Sequence, residues 1–308
     1  MYVVVYQNSS FRYPVCVRFQ KITIVGVGLL GGSIGLAVKR RRLAREVAGF
    51  VRRRESLKDC EKAGAADYVT TDLLAAVSNA DLVILCTPLS QMRLRIVEML
   101  PALKRGAIVT DVGSVKAGVV RELESIVAKA GAHFVGSHPM AGAEKTGVMA
   151  AREDLFVKAV CVATQTKKSD AAAVRKVEAF WKSLGARTLR LPPEKHDLLV
   201  SRSSHLPHIV AAALANLILA PASPKMQAQL CATGFRDTTR IASGSPEMWR
   251  DIALANRKNL SRSLDAFISE LQKFRRVLKK SDGKAISKLL ETAKTRRDNW
   301  CANSNSPE

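Results

Sequence analysis

Residues 21–42 read KITIVGVGLLGGSIGLAVKRRR. An apolar, β-branched run at Ile22–Val25 leads into Gly26-x-Gly28-x-x-Gly31, and a helical pattern follows. A bare glycine triplet is common, but here it stands between strand and helix, where each glycine has a task. Gly26 permits the tight turn, Gly28 lets backbone amides approach a pyrophosphate, and Gly31 permits close helix–strand packing. Leu29 and Leu30 open the helix whose free amides would face the phosphates. Thr87 and Pro88, just past a later strand run, join Gly26, Gly28, Leu29, Leu30 and Gly31 as candidates for binding the cofactor.

Outward from this motif, short β-rich runs alternate with longer helical patterns. The runs are Ile22–Val25, Val47–Val51, Leu82–Cys86, Ile108–Asp111, His133–Gly136, Val160–Ala163 and Thr188–Leu191. Such alternation predicts an α/β fold, a Rossmann-type doubly wound parallel sheet covered by helices. After Pro192-Pro193 only helical periodicity remains, broken near Pro221–Pro224, at residues 243–246 and at Asp282-Gly283. Ser245 before Pro246 and Glu247 reads as a helix start. The 308 residues are too many for one compact core. The expected organisation is an N-terminal extension (1–20), a dinucleotide-binding domain (21–192), an all-α domain (193–300) and a polar tail (301–308).

The composition narrows the class. A hydrophobic fraction of 47% excludes bulk disorder. The net charge of +22 divides into +9 over residues 1–150 and +13 over 151–308, so it is spread rather than gathered into a nucleic-acid-binding tail. Cationic side chains such as Arg262, Lys273, Arg275, Arg276, Lys279 and Lys280 are interleaved with apolar positions, as on a solvated helix face. No nucleic acid is expected as a partner. Six scattered cysteines without a C-x-x-C fit a reducing compartment, hence the cytoplasm. The first 20 residues lack the layout of a signal peptide. The greasiest stretch, Leu206–Ala222, is interrupted by Pro207, His208 and Asn216, which favours a buried helix over a membrane span.

In an NAD site an acidic residue about twenty positions past the last glycine binds the ribose 2′-hydroxyl. Val51 stands there instead, followed by Arg52, Arg53 and Arg54. Guanidinium groups without a carboxylate favour a 2′-phosphate, and therefore NADP over NAD. The alternatives are a solvated basic turn, or Glu55 as a displaced acid.

Three polar segments carry the catalytic candidates. Asp111-Val-Gly-Ser114-Val-Lys116 ends a strand on the ligand-binding edge of the sheet. Gly136-Ser-His138-Pro-Met-Ala-Gly142-Ala-Glu144 also follows a strand, and an imidazole there suits the removal of a hydroxyl proton. The alternative is a structural histidine. In Ser201-Arg-Ser-Ser204-His205-Leu-Pro207-His208, the two histidines are spaced to share one helix face. No nearby Cys or carboxylate completes a zinc set, so no metal is expected. Arg240 could hold a carboxylate and Trp249 could wall a ring, against the alternatives of a surface arginine and a core tryptophan.

Together these motifs carry a resemblance. GVGLLGGS, DVGSVK, GSHPMAGAEKTG, SHLPH, TRIA and MWRDI occur in the order and spacing of the prephenate/arogenate dehydrogenases of tyrosine biosynthesis, which the chain resembles over roughly residues 21–280. The resemblance implies a nucleotide-binding domain, an all-helical domain that builds a homodimer, and a site in the cleft between them. It implies His138 as the catalytic histidine that takes the ring-hydroxyl proton and Ser114 as the serine that bonds that hydroxyl beside the nicotinamide. Arg240 would grip a substrate carboxylate, with His208 lining the pocket and Ser204, His205, Glu144 and Trp249 at further site-forming positions. Ala143 departs from the Ser or Thr frequent in relatives, and the length leaves no room for a regulatory ACT domain or a fused chorismate mutase. The implied reaction is oxidative decarboxylation of a small cyclohexadienyl substrate with hydride transfer to NAD(P)+. The competing enzyme reading, a β-hydroxyacid dehydrogenase or imine-type reductase, would rely on a lysine in the helical domain, and nothing marks Lys225 or Lys258 for that task. A nucleotide-sensing binding module is the reading from another class.

Overall fold

Six strands form one all-parallel sheet in a computed structural model that describes residues 18–305 except 143, 144, 221 and 223. The strands are β1 (Phe19–Val25), β2 (Ala44–Phe50), β3 (Tyr68–Thr70), β4 (Leu82–Leu85), β5 (Ile108–Asp111) and β6 (His133–Val135), in the order β3-β2-β1-β4-β5-β6. Direction across the sheet reverses between β1 and β4, which opens a crevice at their carboxyl ends. Successive residues point to opposite faces and each face has its own core. Ile22, Ile24, Leu82 and Ile84 pack in one apolar cluster, Val25, Val83, Leu85 and Val109 in the other. A second, three-stranded sheet comprises β7 (Ser137–Pro139), β8 (Val160–Thr164) and β9 (Arg187–Leu191), with β7 antiparallel and β9 parallel to β8.

Two strands differ from the sequence reading. β3 is only three residues long and not buried, too short and too polar for a period-2 pattern. β7 lies beyond the run His133–Gly136 and has no run of its own in the sequence reading, because Gly136 alone separates β6 from β7 as the chain changes sheets. A Cβ at 136 would lie 2.7 Å from both Thr164 Oγ1 and Val120 Cγ2, so the crossing requires glycine.

The helices of the sheet region are α1 (Leu29–Arg40), α2 (Glu55–Ala63), α3 (Leu73–Val77), α4 (Leu89–Met99), α5 (Ala117–Lys129) and α6 (Ala171–Ser183). Then come α7 (Pro193–Val200), a π turn at Ser201–His205, α8 (Leu206–Ile218), α9 (Lys225–Gln229), α10 (Thr233–Thr239) and α11 (Pro246–Ala255). Ser245 caps α11, its hydroxyl accepting from the Met248 amide at 3.3 Å. Internal contacts divide the chain into one unit ending at Asn256 and another beginning at Arg257. The second unit consists of α12 (Arg257–Lys279) and α13 (Gly283–Asn305), with the turn between them at the Asp282-Gly283 break. No helix among the described residues is long and apolar enough to cross a membrane.

Gly35 shows how closely α1 lies on its neighbours. An alanine Cβ there would sit 1.9 Å from the Ala65 carbonyl oxygen and 3.1 Å from Ile24 Cδ1. Glycine inside a helix costs about 1 kcal/mol relative to alanine, but overpacking against fixed backbone costs about 1–3 kcal/mol or more. Gly35→Ala is therefore expected to lower the urea unfolding midpoint despite its better helix propensity, and a raised midpoint would contradict this packing.

Candidate active site

The β1–α1 turn forms a cradle. Gly26 has φ +101°, and a Cβ there would meet the Cys86 carbonyl at 2.9 Å. A Cβ on Gly31 would lie 2.1 Å from Gly26 O and 2.9 Å from Ile24 Cγ2, whereas one on Gly28 meets nothing within 4 Å. Two glycines are thus demanded by packing, and the third faces open space. No side chain caps α1, which leaves the first helical amides, with Leu29 and Leu30 opening the helix, free to bind an anion. Beside Gly26, Thr87 Oγ1 is buried with no partner among the described residues, and Pro88 caps α4. Open space at Gly28, free amides and an orphaned hydroxyl fit a dinucleotide pyrophosphate.

Gly26 N donates to Phe50 O at 2.9 Å, which places the end of β2 against the cradle. Past buried Val51, Arg52, Arg53 and Arg54 are exposed, and none has an ion pair among the described residues.

His138 lies on β7, near the carboxyl edge of the parallel sheet, and is 7% exposed. Its Nδ1 lies 2.8 Å from His196 Nε2, and His196 Nδ1 lies 2.8 Å from Asp197 Oδ1. Asp197 also accepts from the backbone amides of Lys116 (2.7 Å) and Ala117 (2.9 Å), which open α5. A carboxylate only accepts, so His196 donates through Nδ1 and receives at Nε2. His138 must then donate through Nδ1, which leaves its Nε2 with a free lone pair. Among the described residues Nε2 has no hydrogen-bond partner, and it is not among the sealed-in polar atoms. The array fixes the tautomer of His138 from behind and leaves its Nε2 lone pair open.

A buried ion pair braces it. Lys116 and Asp111 are both fully buried, with Lys116 Nζ bonded to Asp111 Oδ2. Asp111 Oδ1 accepts from Ser137 N at 3.1 Å and Asp111 O from Ser137 Oγ at 2.6 Å, so the residue before His138 is held at two points. Trp181 Nε1 donates to the same hydroxyl at 3.1 Å. Burial holds the His138 pKa well below the ordinary imidazole value, and charge on His196, Lys116 and His205 acts in the same direction. At neutral pH the ring is uncharged and able to accept a proton.

A second group lies on the helices after the π turn. The ring of His208 stacks on Trp249 with centroids 3.5 Å apart and planes 10° apart, and His205 meets Trp249 edge-on at 6.1 Å. The i, i+3 spacing thus turns both imidazoles to one tryptophan. Gly244 seals the contact, since a Cβ there would lie 2.6 Å from Trp249 Nε1 and 3.2 Å from His208 Cε1. His208 Nδ1 is buried with no hydrogen-bond partner among the described residues. Ser114 and Ser204 are half-buried on the β5–α5 loop and the π turn, and Arg240 is exposed at the start of a 3-10 turn (Arg240–Ser243). Glu144 lies outside the described residues.

Sequence reading missed His196 and Asp197. Their signal is an inverted helix: Pro193, His196, Asp197 and Val200 form the buried i, i+3, i+4, i+7 stripe of α7, while Leu199 points out at 43% exposure.

Comparisons with known proteins agree with this layout. A family model described as prephenate dehydrogenase, nucleotide-binding domain, matches residues 34–190, and one described as prephenate dehydrogenase, dimerization domain, matches 192–292. The chain is 36% identical over 283 residues to the prephenate dehydrogenase of Bacillus subtilis, covering 90% of this chain and 75% of that one. The Aquifex aeolicus prephenate dehydrogenase solved with hydroxyphenyl propionate and NAD+ superposes with a TM-score of 0.84 at 32% identity, over 91% of this chain and 98% of that one. Synechocystis arogenate dehydrogenase superposes with a TM-score of 0.77 at 30% identity, over 91% and 99%.

The buried histidines dictate a pH dependence. Burial lowers the pKa of His138 and of His208, and that of His205 to about 4, from the usual 6.5. The unfolded chain therefore binds more protons just below pH 6.5. Stability from keeping the rings neutral is complete above that value and is lost as pH falls towards 4. The urea midpoint is expected to be lower at about pH 5 than at about pH 7.5, and an unchanged midpoint would remove this contribution.

Proposed function

This chain belongs to the prephenate dehydrogenase family, and on that premise we propose that it oxidatively decarboxylates prephenate or arogenate, with hydride transfer to NAD(P)+. The product is 4-hydroxyphenylpyruvate or tyrosine, and the pathway tyrosine biosynthesis. The observation that carries this reading is the His138–His196–Asp197 array, which presents a neutral imidazole with its lone pair outward at the carboxyl edge of a dinucleotide-binding sheet.

The substrate carries a ring hydroxyl and a carboxylate on opposite carbons of a cyclohexadiene. Once hydride leaves the carbinol carbon, loss of CO2 makes the ring aromatic, so the protein need not supply that driving force. Its tasks are positioning and proton removal. His138 Nε2 accepts the hydroxyl proton. The resulting imidazolium donates through Nδ1 to His196, and His196 in turn donates to the Asp197 carboxylate, which stabilises the new charge. Ser114 bonds the hydroxyl, and Arg240 grips a substrate carboxylate by bidentate hydrogen bonding. His208 and Trp249 wall the ring, with Ser204, His205 and Glu144 completing the pocket. When bound, the nicotinamide supplies the hydride acceptor. Gly26, Gly28, Leu29, Leu30, Gly31, Thr87 and Pro88 hold its dinucleotide.

We assign NADP as the favoured cofactor because Arg52 and Arg53, exposed and without an ion pair among the described residues, follow Val51 at the position where an NAD site carries its acidic residue. A homodimer through the C-terminal helical domain follows the description of the matched family model. Among the described residues it is supported by large exposed side chains on α12 and α13, such as Leu271, Leu278 and Trp300. Unpaired Cys60, Cys86 and Cys161 suit a cytoplasmic enzyme.

The test is nicotinamide reduction with prephenate and arogenate, each offered NAD+ and NADP+. Turnover of either substrate supports the reaction, and none in any combination by a folded protein that binds cofactor rejects it. His138→Asn is expected to bind cofactor normally but lose about 10²–10⁴ in kcat; an unchanged kcat would take His138 out of the mechanism. Replacing Arg52 and Arg53 together by alanine is expected to raise KM for NADP+ while leaving KM for NAD+ near its starting value. Equal effects on both cofactors would return the arginines to a solvated turn.

A further inference from the structure

Behind the two histidine groups lies one amide. Asn256, the C-cap residue of α11, is 4% exposed. Its Nδ2 lies 2.8 Å from the backbone carbonyl of Asp197 and 3.2 Å from His205 Nδ1. A carbonyl oxygen only accepts, so the NH2 end of the amide must face Asp197, and the second amide hydrogen is then directed at His205 Nδ1. That nitrogen must carry a lone pair, which puts the proton of neutral His205 on Nε2. Burial keeps the ring neutral, lowering its pKa to about 4. The Nε2–H is buried with no hydrogen-bond partner among the described residues.

The Asp197 carbonyl accepts from the Ser201 amide at the end of α7, and Asn256 is its second donor, placed where α7 gives way to the π turn at Ser201–His205. An asparagine from α11 donates at that junction and, with its other hydrogen, at the far end of the same turn.

We infer that Asn256 is a positioning residue for the reaction. One amide holds in register the segment that carries His196 and Asp197 behind His138, together with the ring of His205, which meets Trp249 edge-on. The base and the Trp249 side of the pocket are thereby kept at one spacing, and the tautomer of His205 with its proton on Nε2 is selected. The role rests on the reading of His138 as the base. An apolar side chain at 256 releases both partners. An aspartate keeps the size but cannot donate to the Asp197 carbonyl, and it draws a proton onto His205 Nδ1.

The test uses the full chain in three forms: wild type, Asn256→Ala and Asn256→Asp. Long-range 1H–15N spectra of the histidine rings read the tautomer, and steady-state kinetics with prephenate, arogenate and both cofactors read kcat and KM. The expected results are an Nε2–H tautomer for wild-type His205, protonation of Nδ1 in Asn256→Asp, and a kcat about 10- to 100-fold lower in both variants with cofactor KM unchanged. A wild-type His205 protonated on Nδ1 overturns the proposal without any variant, even if both variants fail to fold. A folded Asn256→Ala that is merely less stable, with unaltered kcat, overturns it as well. Absence of turnover by the wild type would instead reject the dehydrogenase reading, so the two failures are distinguishable.

Discussion

The carboxylate of Asp197, held by the Lys116 and Ala117 amides at the start of α5, is the contact on which the candidate site depends. It joins a helix that follows the last strand to the loop that leaves β5, across 81 residues of chain. The same carboxylate accepts from His196, so an interaction that docks α7 also sets the tautomer of His138. Charge-assisted bonds at a helix N-terminus are among the stronger ones available to a protein, and here they are shielded from water.

The buried Lys116–Asp111 pair plays a complementary part. Such a pair is weak evidence for stability, because desolvation opposes the attraction. Its geometry matters more. Asp111 also holds Ser137, the residue before His138, and Lys116 supplies an amide to Asp197. The loop Asp111–Lys116 therefore braces His138 from the strand side and from the relay side. Ser114 lies on the same loop, so the proposed hydroxyl-binding group and the proposed base share one support.

Much of the fold was legible because its rules are local. The alternation of β-rich and helical runs located seven of the nine strands, and the two missed are three-residue strands. Gly26 and Gly31 were readable because a tight turn and close packing exclude a Cβ, and Gly28 because a bare backbone keeps the approach beside it open. The i, i+3 spacing of His205 and His208 brought both to Trp249. The inward face of α7 was not legible in the same way, because the polar pair His196-Asp197 is buried and Leu199 is turned out, the reverse of the usual amphipathic order.

By itself the sequence determined the parallel sheet, the nucleotide-binding turn and the histidines available for chemistry, since each depends on side-chain periodicity or on steric freedom within a few residues. Only the tertiary structure decided which imidazole is backed by a carboxylate and on which nitrogen each proton sits. His138 meets His196 across 58 residues and Asn256 meets His205 across 51. Partners so far apart are brought together by the packing of α7 and α11 on the sheet region, and in a water-excluded interior every donor must then find its acceptor.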